Sequence, residues 1–461
     1  MVMSASAVRD LVGDDLAVKL RTQRTRMDGW DKWLTGDNPV ERLAHQDPNA
    51  TRNQLVELSR TPMLRQIVEQ LAQQLVLASV VSPSATEQDV ARMWAPWDAN
   101  GCPTRQSALY EAMIGYGRAY ALTLPGEAPV PDPSAALRLR EDRALIRFLS
   151  PRNLLVIESS DPFDEWPTMA LWEIPQAANA SRYRLIEPEG QHFLGRDEAG
   201  RLEYAEFRPW RVGVTPVVTY SNHLDLEGRS AGEVERNETV ARRYDKTVHD
   251  RLLIQHNNSW RVKTATGLDD PGTPEEKDRL KAQLRHDDVL TGGEGVQFGS
   301  LPETTLDSTL KAAEADQETL SAMAQVTIWS LNSTKLINLS ADALAEARSL
   351  NRLKTQALQR SAGRSHANLL RLAAHIEGRA EDAARFDMSM EWENVEAQAL
   401  SAIADGLSKL KNLGVPNHFL WELIPGVSSG KLAQWRRHAE EHPSDAQVLA
   451  DVLGRQITTT A

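Results

Sequence analysis

The chain has 461 residues, 41% of them apolar and 25% charged, which excludes wholesale disorder and exceeds what one hydrophobic core usually organises. Its formal net charge of −12 argues against a protein that coats nucleic acid, because affinity for phosphate rests on Lys and Arg. The longest apolar run with few breaks, 71–81, is too short to span a bilayer, no secretion pattern opens the sequence, and the single Cys102 permits no intrachain disulfide and suits a reducing compartment.

In chain order, residues 4–34 read as helix, with Val8, Leu11, Val12, Leu16 and Leu20 apolar and Trp30 and Trp33 closing it before Asp37-Asn38-Pro39. A second helix is predicted over 62–80, led by Thr61-Pro62 and stopped by Ser82-Pro83-Ser84. Helical patterns continue over 87–98 and 105–121. The latter holds Gly115-Tyr116-Gly117, where flanking glycines predict close backbone packing rather than a ligand loop. From 145 to 220 the period shifts, and β-rich runs fall at 145–149, 153–158, 168–174, 182–187, 202–207 and 212–220, with Asp197-Glu-Ala-Gly200 as a hairpin turn. This segment predicts a mainly antiparallel β insertion in a helical chain.

Helix resumes over 233–257 on Val234, Val240, Ala241, Tyr244, Val248 and Leu252. The module 260–302 is polar and punctuated, with a small helix over 275–286 and a strand at 296–299. A helix over 307–328, capped by Asp307 or Ser308, carries Leu310, Ala313, Leu320, Ala324 and Ile328. A mixed loop, 329–339, leads to Ser340 as a cap and to a helix over 341–377 that would extend ~55 Å. Its apolar positions include Leu344, Ala347, Leu350, Leu353, Ala357, Leu369, Leu372 and Ile376. Short helices are expected at 394–413, 417–424, 429–441 and 443–455.

Motifs that carry chemistry are scarce. Gly426-Val-Ser-Ser-Gly430-Lys431 has three residues between its glycines and Leu432 after the Lys, so it fails as a phosphate-binding loop. His249 and His256 share a helix without further metal-ligand partners, and His286-Asp287-Asp288 reads as a charged helix end. Cys102 has no activating partner in the sequence. No catalytic residue, metal site or cofactor is expected. Charge is uneven: 303–318 holds five acidic residues against Lys311, whereas 342–379 holds seven basic against three acidic. Arg348, Arg352, Arg360 and Arg364 recur at multiples of four and wind around the long helix, since each step of four overshoots a turn by ~40°.

The order of these elements resembles the portal proteins of tailed double-stranded DNA bacteriophages, in the SPP1-portal-like family, over residues 40–375. The likeness rests on Asn53-Gln-Leu-Val-Glu-Leu58, Trp94-Ala-Pro-Trp97-Asp-Ala-Asn100, Tyr116-Gly-Arg-Ala-Tyr120, Gly213-Val-Thr-Pro-Val-Val218, Gly228-Arg-Ser230, Phe298-Gly-Ser-Leu-Pro302 and Leu339-Ser-Ala-Asp-Ala-Leu344-Ala-Glu-Ala347. The sequence departs from the family in lacking Pro in 329–341.

The resemblance implies an α+β, mainly α portal fold: a helical wing (1–144), a β-rich wing part (145–225), a first stem helix (226–258) and a clip (259–305). A second stem helix (306–328), tunnel loop (329–341), long wing helix (342–385) and helical crown (386–461) complete it. It implies a non-enzymatic dodecameric ring at one capsid vertex, assembled in the host cytoplasm, that passes double-stranded DNA during packaging and ejection. Implied partners are the major capsid protein, the terminase large subunit and the head–tail connector, with a scaffolding protein as a further candidate and no membrane. Asn332, Ser333, Thr334 and Lys335 are then expected nearest DNA, and Arg348, Arg352, Arg360 and Arg364 at contacts between subunits. The alternative is a phage structural or scaffolding protein that oligomerises through the same helical hairpin.

Overall fold

The computed structural model describes residues 3–40, 50–126, 143–161, 163–176, 180–258, 263–266, 273, 297–300, 305–332, 341–393, 400–424, 427 and 429–441. It is a mixed α/β structure, with 53% of the described residues helical. Two compact units divide the chain: the first takes residues 1–30, 67–235 and 349–461, the second 31–66 and 236–348.

The chain opens on α1 (Ala5–Asp10), a π-helical stretch (Leu11–Leu16) and α2 (Ala17–Thr35). Val8, Val12, Leu16 and Leu20 are buried at steps of four. In an α-helix such steps drift by ~40° each, and the wider π turn winds back part of that drift, which keeps the four on one face. That face packs on Leu155, Leu171, Tyr183, Leu185 and Leu194 of the sheet described below. Each such side chain, fully buried, contributes roughly 1.5–3 kcal/mol. Then come α3 (Ala50–Ser59), α4 (Met63–Gln73), β1 (Leu77–Val81), α5 (Glu87–Ala99), α6 (Gln106–Tyr116) and β2 (Arg118–Pro125).

Two expected helices are therefore too long. The pattern over 62–80 stops at Gln73, and Leu77–Val81 is a strand. The 105–121 pattern stops at Gly117, whose φ of +92° turns the chain into β2. That turn is built for glycine: a Cβ on Gly117 would sit 2.7 Å from the Ser230 carbonyl oxygen, and one on Gly232 would overlap the Gly115 carbonyl. The close backbone packing expected of Gly115-Tyr116-Gly117 is thus present.

The β segment comprises β3 (Ala144–Leu149), β4 (Leu154–Ile157), β5 (Met169–Pro175), β6 (Ser181–Glu187), β7 (Gly190–Arg196), β8 (Leu202–Pro209) and β9 (Val217–Ser221). Every pairing among them is antiparallel, in a five-stranded sheet β4-β5-β6-β7-β8 and a three-stranded sheet β3-β2-β9. Tyr120, Leu122 and Val217 of the smaller sheet pack on Leu154, Ala170 and Ile186 of the larger. The hairpin at Asp197–Gly200 forms as read, with Gly200 at φ +84°.

After α7 (Glu233–Asn258), β10 (Lys263–Thr266) pairs with β11 (Gln297–Ser300). The helix read over 275–286 lies outside the described residues. Next are α8 (Asp307–Ala324), α9 (Ile328–Leu331) and α10 (Ala341–Ile376). The expected 307–328 helix thus ends at Ala324, where Gln325 takes φ 54°, and its N-cap is Leu306 without a side-chain cap bond. α11 (Ala380–Ala383), β12 (Ser389–Trp392), α12 (Leu400–Asn412), α13 (Asn417–Glu422) and α14 (Ser429–Glu441) follow. β12 pairs with β1, Leu77 opposite Trp392 and Val81 opposite Ser389. The helix expected over 443–455 lies outside the described residues.

Candidate channel segment and subunit-contact surface

In the second unit, α7 and α8 are joined by polar contacts. Arg243 Nε lies 2.6 Å from Asp316 Oδ1, Thr247 donates to the other Asp316 oxygen at 3.2 Å, and Gln317 donates to the Tyr244 hydroxyl at 3.0 Å. Gln317 also accepts from the Asn332 side chain at 2.9 Å. Asn332 is therefore half-buried and anchored to α8 at the root of the segment it opens. Ser333, Thr334 and Lys335 lie outside the described residues.

The same unit buries Asp245 of α7, which accepts from the Asn38 side chain at 2.6 Å and from the Thr61 backbone N–H at 3.1 Å. Burial pushes its pKa up to about 6, against the pull of those hydrogen bonds and of Arg60. The two segments that flank 41–49 are pinned to one carboxylate. Sequence periodicity hides this, because Asp245 looks like one more polar residue beside Tyr244.

In the first unit, α10 buries Leu358, Ala362, His366, Leu369, Leu370 and Ala373. Ser361 and Ser365 donate to the carbonyls of Ser221 and Thr219 in β9, at 2.7 and 2.8 Å. His366 sits between the Tyr110 hydroxyl, 2.8 Å from Nε2, and the Tyr220 hydroxyl, 3.0 Å from Nδ1, with Trp97 edge-on at 4.9 Å. Complete burial lowers its pKa to about 3, so it is a neutral ring joining α6, β9 and α10. The sequence signal for it was faint: a polar residue four after Ala362 on the apolar face. Lys354 and Glu233 form a second buried link at 2.8 Å.

Some expected apolar positions of α10 face the other way. Leu350 and Leu353 are exposed, while Asn351 and Thr355 are buried in their place. Among the four arginines, all are exposed. Arg360 donates to the Gln356 carbonyl at 3.3 Å, and Arg364 pairs with Glu165 at 2.6 Å, which lowers the Glu165 pKa. Arg360 and Arg364 also flank a groove of about 460 Å³ lined by Gly363, Ala367, Met388, Met390 and Trp392. The structure groups these two arginines, and Arg348 and Arg352 precede them by at least two turns.

Cys102 is buried, and its thiol is pushed up to about 12 by burial. No cluster of three or more His, Cys, Asp or Glu able to hold a metal occurs among the described residues, and among them no helix is long and apolar enough to cross a membrane.

The profile of the phage portal proteins, SPP1 Gp6-like, matches residues 16–444. The chain belongs to that family: it is a portal protein of the capsid vertex, in a structural, non-enzymatic family whose members form rings in a virion. No curated protein matches it. Among solved structures it is similar to a chain of the virion of the native gene transfer agent particle, at 13% identity and a TM-score of 0.46, covering 86% of this chain and 99% of that one. It is also similar to a chain of the neck of the empty gene transfer agent particle, at 12% identity and a TM-score of 0.46, covering 84% and 96%.

Proposed function

We propose that this chain closes into a dodecameric ring whose central channel passes double-stranded DNA during packaging and ejection in a long-tailed phage. In this reading α7 and α8 form the stem, 259–305 the clip that receives the terminase large subunit and later the head–tail connector, and 329–341 the tunnel loop. Residues 1–225 and 342–385 form the wing, 386–461 the crown, and the major capsid protein surrounds the ring, with a scaffolding protein as a further assembly partner in the host cytoplasm. The observation that carries the reading is the family match, which spans both α7 and α8. The acidic balance fits a conduit, because dense cationic contacts would hold DNA rather than let it slide.

Electron microscopy of the purified full chain tests it: a dodecamer with an open channel is expected, and a filament or a compact monomer overturns it. Asn332, Ser333, Thr334 and Lys335 are assigned to the loop nearest DNA. Deleting 331–336 is expected to impair packaging or DNA retention, and normal packaging and retention would overturn that assignment. Arg348, Arg352, Arg360 and Arg364 are assigned to contacts between subunits. The pure chain is expected to hydrolyse no ATP, and DNA-stimulated hydrolysis would refute the non-enzymatic part.

A further inference from the structure

Two turns in the first unit share one chemistry. In Asp197-Glu-Ala-Gly200-Arg201, Asp197 accepts from the Arg201 backbone N–H at 2.7 Å and pairs with the Arg201 side chain at 2.9 Å, with Gly200 at φ +84°. In Asp225-Leu-Glu-Gly228-Arg229 the same bonds recur at 2.8 and 2.8 Å, with Gly228 at φ +75° and a further bond from the Glu227 N–H to Asp225. The first turn carries Glu198 at the position that Leu226 holds in the second. The turn itself therefore does not require leucine, yet Leu226 is fully exposed and Leu224 beside it is largely exposed.

The root of this second turn is fixed. Arg118 donates to the Gly228 carbonyl and pairs with Glu158 at 3.5 Å, and Asn222 donates from its backbone to the Gly117 carbonyl at 2.9 Å. A rigid turn that holds a leucine in water has already lost the freedom that binding would cost. The same unit carries a fitting receptor: the groove beside α10, with Met388, Met390 and Trp392 as apolar walls, no side chain at Gly363, and Arg360 and Arg364 at its edge. Its cationic edge suits Glu227, the exposed neighbour of Leu226, which in the free chain pairs with exposed Arg229 at 2.8 Å.

We propose that the Leu226 turn of one copy inserts into the Met390–Trp392 groove of the next, with Glu227 on Arg360. This rests on the ring reading and deepens it by naming one pair of contact surfaces. A closed ring needs two different, complementary patches on every chain, and a knob and a groove on one unit supply them. Charge complementarity favours a second copy as the occupant, since the groove's edge carries two guanidinium groups and the turn carries two carboxylates against one guanidinium. The groove lies outside the DNA-facing loop proposed above.

The test compares assembly of full-length variants by mass photometry and electron microscopy. Leu226→Glu copies the sister turn, so it should fold, and it is expected to raise the concentration needed for ring formation at least tenfold. Glu227→Arg and Arg360→Glu should each weaken assembly, and together restore it. Leu226→Cys with Met390→Cys should give a ladder of oxidised oligomers on a non-reducing gel. Rings formed at the wild-type concentration by Leu226→Glu, a double charge reversal no better than its singles, or a missing ladder would each overturn the contact while leaving the ring intact. A wild-type chain that stays monomeric would overturn the ring reading as well.

Discussion

Asp382 and Asp245 are both buried, one in each unit, and they are stabilised in opposite ways. Asp382 receives two bonds from Arg92 at 2.8 Å and one from Arg379 at 2.6 Å, and Arg92 above all holds its pKa down to about 2. Asp245 meets the neutral donors Asn38 and Thr61, and burial lifts it to about 6. The difference teaches that burial alone does not set a carboxylate's charge; the number of cations within reach does. The signs then follow. A depressed pKa gives Asp382 a stabilising contribution that is present above its unfolded value and lost as pH falls toward about 2. The raised pKa of Asp245 favours folding below its unfolded value of 3.8, and that contribution is lost as pH rises through about 6.

The largest expected effect is at Asp382. Asp382→Asn removes the carboxylate shared by Arg92, Arg379 and Arg385, which keep the Asp89 and Glu377 carboxylates, and should cost ~3 kcal/mol near neutral pH, read from urea denaturation; a cost under ~1 kcal/mol would break the contrast. Asp245→Asn should instead stabilise the protein by roughly 2–3 kcal/mol at mildly alkaline pH, because no buried charge remains. Once the Asn38 amide turns over, its Oδ1, which has no partner among the described residues, can accept from the new amide. Denaturation midpoints followed across pH should lose the dependence that runs from 3.8 to about 6; an unchanged slope would count against the account. Asp316→Asn should cost only ~1 kcal/mol, less at high salt, since Arg243 is half exposed. The smallest change is Gln325→Gly, expected to gain about 0.5–1 kcal/mol in thermal unfolding by relieving a left-handed non-glycine residue.

Sequence periodicity locates α7 and α10 closely, because each carries an apolar stripe sustained over about five turns or more. It also found most strands of the β segment and the Asp197 turn, whose residues dictate their own local geometry. It failed where the partner lies far along the chain. β1 reads in sequence as the tail of a helix because Leu75, Val76 and Val80 continue an apolar run, and only pairing with 389–392 makes it a strand. The first half of β2 reads in sequence as the end of the preceding helix because the strand is apolar on both faces, being the central strand between β3 and β9. β7, β10 and β12 were missed: each is seven residues or fewer, and β7 opens on Gly190. The end of α8 at Ala324 had no glycine or proline to announce it. Of the site residues, the sequence shows Arg360 and Arg364 only as two members of a winding row of four, and the groove beside them is invisible in it because that groove depends on β12.

The pairing of β1 with β12 also bears on how the chain is made. At ~5–20 residues per second, β12 leaves the ribosome tens of seconds after β1. Until then Leu77 and Val80, buried in the finished protein, lack their partner strand. The first unit is thus completed only late in synthesis, and contacts of such long sequence separation slow folding. A nascent chain waits with an unpaired edge, so that stage of translation is where premature association of neighbouring chains is most easily provoked.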